Sequence, residues 1–431
     1  MRRIVLGLSL LSLLSGSLAA QGIWSPSVQE PGLVSTPTDD YQPTITQDLK
    51  TIYFSSARAG GLGSNDIWMC TRTDVLSPWS APTNLGAPVN TVSGEFYLSV
   101  RGDNLELIFS SNRAGGAGDD DLWVSTRAST AAPWGAPTNI LALNTSSFED
   151  DPALSDDGLV LYFTVGPGYG AAGAGIARAS RASTAAAFGP ATLLTELDTA
   201  SFEHSPATAK SLNSGPWFKD QALIFSSTDV GTLIGNLGSS DFYLVVRSAP
   251  GVAFANINIM PASATNLADI NTNLWDFNPD ETADGYNFYW SKYENSSTAG
   301  GTDANVYRSD RNLPVAFQAS GTLTAPSTIT IYSRYKPTAA VPGILHFLWI
   351  TATTIPPIPL PGVAGTLETP LGSATFLIPG VPGDADGKAS LSVPNPFSFP
   401  PGTTIPMQGA IFDLTVLPTI DIRLSRSVLI N

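Results

Sequence analysis

The sequence predicts an all-β protein: a five-bladed β-propeller followed by a carboxy-terminal β-sandwich. Three observations carry this. The stretch "IYFSSARAGGLGSNDIWMCTR" (Ile52–Arg72) recurs as "LIFSSNRAGGAGDDDLWVSTR" (Leu107–Arg127), with 12 of 21 positions identical at an offset of 55 residues. Weaker copies of the same pattern follow twice the distance and beyond. The composition, with 39 Gly and 34 Pro among 431 residues, breaks the apolar segments into short runs bounded by turn residues, which is the signature of strands and tight connections.

The copies are aligned on an aromatic near the end of their second strand: Phe54, Phe109, Phe163, Phe225 and Trp290, spaced by 55, 54, 62 and 65 residues. A Gly-rich link follows, then a third strand ending in arginine: Arg72, Arg127, Arg181, Arg247 and Arg311. After the third strand comes a second signature, "WSAPTNLGAPVNT", "WGAPTNILALNT" or "FGPATLLTELDT", stretched in the fourth copy to end at "DINT". Four residues past its final threonine stands an acid: Asp40, Glu95, Glu149, Glu203 and Asp276. Three residues later, Pro43, Leu98, Pro152, Pro206 or Pro279 marks the innermost strand. A unit of four short antiparallel strands at this period is a propeller blade, so five copies predict five blades.

The wording resembles the TolB-type, WD-repeat-like propeller repeats. "PALSDDGLVLYFT" at Pro152–Thr164 and the two "RAGG" loops carry the likeness, over roughly residues 22–318. The third copy departs from it, because "TVGPGYGAAGAGIA" has neither the acid nor the aromatic of the third strand. The resemblance implies the propeller fold and no activity, since one fold hosts many functions.

The chain ends supply the rest of the plan. "MRRIVLGLSLLSLLSGSLAA" has a basic start, an apolar centre and small residues at its close, and reads as a secretory signal peptide over residues 1–20. "WSPSVQEPGLVST" (Trp24–Thr36) resembles a fourth strand that precedes the first blade. It is expected to pair with the fifth blade and close the ring, removing exposed sheet edges. The propeller is assigned to 21–318 and the sandwich to 319–431, where only ten of 113 residues are charged. This last part resembles carboxy-terminal β-domains of secreted proteins from planctomycete-like bacteria.

Charge narrows the partners. Signal cleavage removes Arg2 and Arg3, so 21 Lys+Arg become 19 against 36 Asp+Glu, a formal charge of −17. That excludes nucleic acid, which needs a basic surface, and no later segment is a membrane span. The single cysteine, Cys70, forms no intrachain disulfide, and two histidines leave little for zinc or haem. The chain is expected to be secreted, periplasmic or on the cell surface of a bacterium.

In an up-and-down blade, the link into the innermost strand and the link between second and third strands lie on one face. The five acids should therefore share a face with Arg58 and Arg113 of the "RAGG" loops. These seven residues are the candidate ligand-binding set, with no catalytic or metal residue assigned. Two readings stay open: caps and interblade ion pairs, or a ring binding a cation or a hydroxyl-rich ligand. No cofactor is expected, with calcium the one ion the ring leaves open. Glu149 and Glu203 are expected to be the least paired. The function expected is a non-catalytic binding or scaffolding module for an envelope or extracellular protein, or for polysaccharide. The alternative is a glycoside hydrolase-like enzyme using carboxylates round the channel, for which Glu149, Glu203 and Asp276 form a set adjoined by Asp150 and Asp151. Against it stands symmetry: such enzymes depart from the repeat at their catalytic acids, and these five follow it.

Overall fold

A computed structural model describes residues 27–30, 38–73, 77–167, 174–198, 202–210, 220, 222–228, 240–247, 252–259, 270–271, 275–282, 287–293 and 304–310, and beyond them the strand backbones between 316 and 430. Residues 24–310 form one compact unit, and 311–431 belong to a second. The expected signal peptide lies outside the described residues.

The first unit is a five-bladed propeller of four-stranded antiparallel sheets. The chain enters through β1 (Val28–Gln29). Blade one is β2 (Asp40–Ile45), β3 (Thr51–Ser56), β4 (Asp66–Thr71) and β5 (Thr83–Asn84). Blade two is β6 (Glu95–Val100), β7 (Glu106–Ser111), β8 (Asp121–Thr126) and β9 (Thr138–Asn139). Blade three is β10 (Phe148–Leu154), β11 (Val160–Gly166), β12 (Gly175–Ser180) and β13 (Thr192–Leu193). Blade four is β14 (Glu203–Thr208), β15 (Ala222–Ser227), β16 (Asp241–Val246) and β17 (Ala255–Ile259). Blade five is β18 (Asp276–Glu281), β19 (Asn287–Tyr293) and β20 (Ala304–Asp310), completed by β1 in the order β1-β20-β19-β18. Val28 pairs with Arg308 and Gln29 with Tyr307, so the amino-terminal strand closes the ring as expected.

The repeated residues have structural explanations. Phe54, Phe109, Phe163 and Phe225 are buried and face Trp68, Trp123, Ala177 and Tyr243 across the second and third strands. The arginine ending each third strand lies over the aromatic that opens the second signature. Arg72 stands 4.1 Å from the ring of Trp79, Arg127 4.2 Å from Trp134, Arg181 4.4 Å from Phe188 and Arg247 4.4 Å from Phe254. These are cation–π stacks. Arg311 lies outside the described residues. The "NT" of the second signature is also explained. Asn90 accepts the Ile67 N–H at 2.9 Å and donates to the Ile67 carbonyl at 3.0 Å. Asn144 does the same to Leu122 and Asn271 to Phe242. In blades one and two, where the outer strand has only two residues, this amide side chain continues the ladder.

The innermost strands share one irregularity. All five have a bulge against their neighbour, between Tyr41/Thr44, Glu95/Leu98, Asp150/Ala153, His204/Ala207 and Phe277/Asp280. Prolines sit in four of these bulges. A proline has no N–H to donate, so it is tolerated on a strand whose outer edge faces the channel.

In the second unit, strands occur where the sequence places them: Ser327–Arg334, Ile344–Ile350, Lys388–Asn395 and Ile405–Asp413. Together with shorter strands they make a three-stranded, a five-stranded and a two-stranded sheet. Within the proline-rich "TIPPIPLPGV", Ile358–Pro359 pairs with Thr366–Leu367. The expected sandwich packing lies outside the described residues. No helix among the described residues is long and apolar enough to cross a membrane.

Candidate functional site

The five repeat acids are all buried, at 1 % exposure or less. Each is held within its own neighbourhood. Asp40 pairs with Arg58 at 2.8 Å. Glu95 accepts the N–H and hydroxyl of Thr91 at 2.8 and 2.6 Å and pairs with Arg113 at 2.9 Å. Glu149 accepts the same two bonds from Thr145, at 2.8 and 2.6 Å. Ser227 Oγ donates to Glu203 at 3.1 Å, and Trp290 Nε1 to Asp276 at 3.1 Å. In blades two and three the spacing from threonine to acid is therefore the span of one closed turn leading into the innermost strand. Arg58 and Arg113 are folded back on the blades. Arg58 lies 4.6 Å from the Phe54 ring and Arg113 4.8 Å from that of Phe109. Glu149 and Glu203, expected as exceptions, both have hydrogen-bond donors. Glu149 has no cation partner among the described residues, and burial raises its pKa against the pull of the Thr145 bonds.

The repeat is broken one and two residues further on. The first position after the acid carries Tyr41, Phe96, Asp150, His204 and Phe277; the second carries Gln42, Tyr97, Asp151, Ser205 and Asn278. Four residues of the second set have positive φ: Gln42 (43°), Asp151 (48°), Ser205 (48°) and Asn278 (52°). That conformation costs a non-glycine residue roughly 1–2 kcal/mol, and it is kept in four blades because the bulge turns these side chains together. Asn278 Nδ2 donates to Asp151 at 2.8 Å and to Ser205 Oγ at 3.0 Å. Asp151 also accepts the Ser205 N–H at 3.2 Å and the Thr164 hydroxyl at 3.0 Å. Gln42 Nε2 reaches from blade one to the Pro152 carbonyl of blade three, at 3.2 Å. His204 Nδ1 lies 2.8 Å from Ser205 Oγ, and burial lowers its pKa to about 3. A small pocket runs on from this ring and is lined in part by Pro43, Pro152, Pro206 and Pro279. Lys210 and Asp280 also line it, paired at 2.7 Å.

Asp150 faces the preceding blade. Its pKa is raised well above the ordinary carboxylate range, first by burial and then by the charges of Asp151 and Asp120. Asp120 ends the link between β7 and β8 of blade two, and its carbonyl accepts the Glu149 N–H at 2.8 Å. Burial, followed by Asp119 and Asp121, pushes the Asp120 carboxyl up to about 6. One oxygen of each, Asp120 Oδ1 and Asp150 Oδ1, is buried without a hydrogen-bond donor, as is Ser110 Oγ beside them. Asp151 is likewise raised to about 6 by burial, against the four hydrogen bonds that lower it. Burial and neighbouring negative charge thus both favour the protonated form of the Asp150 carboxyl. Among the described residues, no three or more His, Cys, Asp or Glu are grouped to hold a metal ion.

Sequence reasoning named Asp150 and Asp151 only as neighbours of the repeat acids and passed over Asp120. The available signal was departure from the repeat. "EDDP" is the only inner-strand start with two further acids, and "GDDD" is the only link that has an extra acid where blade one has Asn65.

No protein-family model matches the chain, and no curated protein does. Among solved structures it is similar to the exo-beta-1,3-galactanase of Phanerochaete chrysosporium, at 12 % identity over 94 % of this chain and 100 % of the other, with a TM-score of 0.41. It is similar to the xylan beta-1,4-xylosidase of Bacillus halodurans, at 11 % identity over 93 % and 92 %, with a TM-score of 0.41. TolB of Acinetobacter baumannii matches at 10 % identity over 66 % and 61 %, with a TM-score of 0.38. The likeness concerns fold, and chemistry rests on the axial residues. The expectation of a non-catalytic binding or scaffolding module is corrected here. The axis has carboxylates that leave the repeat, Asp150 and Asp151, the feature whose absence had weighed against an enzyme.

Proposed function

We propose that the protein is a glycoside hydrolase-like enzyme, acting at the channel mouth where blades two and three meet. The observation that carries this is the Asp120–Asp150 pair. It lies at the boundary of blades two and three, and Asp120 Oδ1 and Asp150 Oδ1 are buried without hydrogen-bond donors. In this reading the protonated member gives its proton to the glycosidic oxygen as the bond to the anomeric carbon breaks. An ionised carboxylate activates the water, or forms the glycosyl intermediate that water then hydrolyses. Asp151, held by Asn278, Ser205 and Thr164, keeps a fixed negative charge beside the developing oxocarbenium ion. The repeat acids, with Arg58 and Arg113, frame this opening. The amino-terminal segment exports the chain, the carboxy-terminal strands form a sandwich, and the partner is an extracellular polysaccharide.

The test is hydrolysis of a panel of aryl glycosides by the full chain. Asp150→Asn and Asp120→Asn are each expected to lower kcat by about 100-fold or more while the melting temperature holds or rises. A folded wild-type chain that cleaves none of the panel, or an Asp150→Asn variant as active as wild type, would overturn the proposal.

A further inference from the structure

At the position after the repeat acid, every blade but the third has an aromatic ring: Tyr41, Phe96, His204 and Phe277 against Asp150. Phe202 stacks on His204 at 4.4 Å between centroids, and His204 on Trp275 at 5.7 Å. Phe277 stacks on Tyr293 at 5.1 Å. Tyr41 lies 6.0 Å from Phe277 and 6.1 Å from Tyr97. The rings thus run through blades four, five, one and two, and the arc is interrupted where Asp150 stands. Its members differ in exposure. Phe202, His204, Trp275, Phe277 and Tyr293 are buried, whereas Tyr41, Phe96 and Tyr97 are half-buried.

The accessible end of the arc adjoins the acid pair. Strand β6, which holds Phe96 and Tyr97, lies beside β10, which holds Asp150; the Leu154 N–H donates to Ser99 Oγ at 3.0 Å between them. The Phe96 ring is set in place by a missing side chain: a Cβ on Gly94 would stand 2.3 Å from it. Fixed rings of this kind offer contact area at little entropic cost. Gln42 Oε1, Asp150 Oδ1 and Asn278 Oδ1 are acceptors without donors, on residues 5 %, 3 % and 1 % exposed. Such a site suits a ligand with an apolar face and a rim of hydroxyl donors. A pyranose ring has both. The carboxyl groups of Asp120, Asp150 and Asp151 repel a ligand that is itself an anion.

We infer that Tyr41, Phe96 and Tyr97 form a stacking subsite for a neutral pyranose ring, beside the Asp120–Asp150 pair. The inference rests on the hydrolase reading and adds the substrate class: neutral pyranosides, and not uronate or sulfated glycans.

Titration calorimetry of the full chain with xylotriose, cellotriose and laminaritriose, and with trigalacturonate as the anionic counterpart, is the test. At least one neutral trisaccharide is expected to bind and trigalacturonate to give no heat. Tyr97→Ala should weaken binding about tenfold, the order an aromatic contact carries, and Tyr97→Phe should restore it. Tyr97→Leu, which preserves apolar volume, guards against a folding defect and should bind as weakly as Tyr97→Ala. Preference for trigalacturonate, no binding of any neutral trisaccharide, or wild-type binding by Tyr97→Ala would overturn the subsite. Binding that depends on Tyr97 without any hydrolysis removes the hydrolase reading alone. Hydrolysis indifferent to Tyr97 and Phe96 removes the subsite alone.

Discussion

Asp150 and Phe96 occupy the same position in successive blades, and that exchange of an aromatic for an acid changes what the opening can do. Elsewhere the position is filled by a ring packed on its neighbours. In blade three it holds a carboxyl group that burial and two adjacent acids keep protonated well above the ordinary range. The consequence is a pH dependence with a definite sign. Asp120, Asp151 and Asp280 are each raised to about 6 from an ordinary value near 3.8, in every case by burial first. Between roughly pH 4 and 6 the folded chain therefore binds more protons than the unfolded one, and stability falls as pH rises through that window. His204 works the other way, because its pKa is lowered to about 3 and the unfolded chain takes up that proton below about 6.5. With three carboxyls set against one imidazole, the melting temperature is expected to be higher at pH 5 than at pH 7. Asp120→Asn should narrow the difference. Thermal melts across pH 4.5–7.5 check this, and a melting temperature that rises steadily toward pH 7.5 would contradict it.

At the scale of the element, each blade is a short sheet finished by side chains. The outer strands β5, β9 and β13 have two residues each, too few to cover the third strand. The ladder is continued by Asn90 and Asn144, and the strand end is covered by the arginine–aromatic stack. Asn144→Ala leaves the Leu122 N–H buried without its acceptor, while the Leu122 carbonyl still accepts the Ile140 N–H at 3.0 Å, at a cost of about 1–3 kcal/mol. Trp134, 8 % exposed under Arg127, should cost about 3 kcal/mol or more on truncation to alanine. Urea denaturation of the two variants measures both. An Asn144→Ala midpoint equal to wild type would show that the outer strand needs no such splint.

At the scale of the molecule, five blades meet round a narrow axis, and the ring is held closed by a strand of two residues. Val28 and Gln29 pair with β20, the Glu30 N–H donates to the Val306 carbonyl at 3.0 Å, and Arg308 pairs with Glu30 at 2.9 Å. Closure covers the seven-residue edge of β20 with a shorter strand. Deleting residues 24–34 is expected to lower the melting temperature and to produce oligomers, because the edge of β20 is then open. Light scattering and thermal melts decide the matter; a monomer of unchanged stability would show that closure contributes nothing.

The sequence by itself determined the blade. The period, the anchoring aromatics, the arginine of each third strand and the threonine-to-acid spacing all report contacts made within one repeat or with the next. Repetition makes such contacts visible, because a local packing solution that works once is written again. Ring closure was legible for the same reason, since a fourth strand standing before the first blade has one place to go. The conspicuous acids Asp40, Glu95, Glu149, Glu203 and Asp276 each stand at the start of an innermost strand, and the partners of three of them lie close in the chain: Thr91 for Glu95, Thr145 for Glu149 and Arg58 for Asp40. What only the tertiary structure decided was the meeting of residues that do not recur. Asp120 meets Asp150 across a blade boundary, Asn278 meets Asp151 from 127 residues away, and Gln42 meets Pro152 from 110. The physical reason is the ring itself. Five inner strands converge on one axis, so positions far apart in sequence share a few ångströms of space, and the differences between blades are read there together.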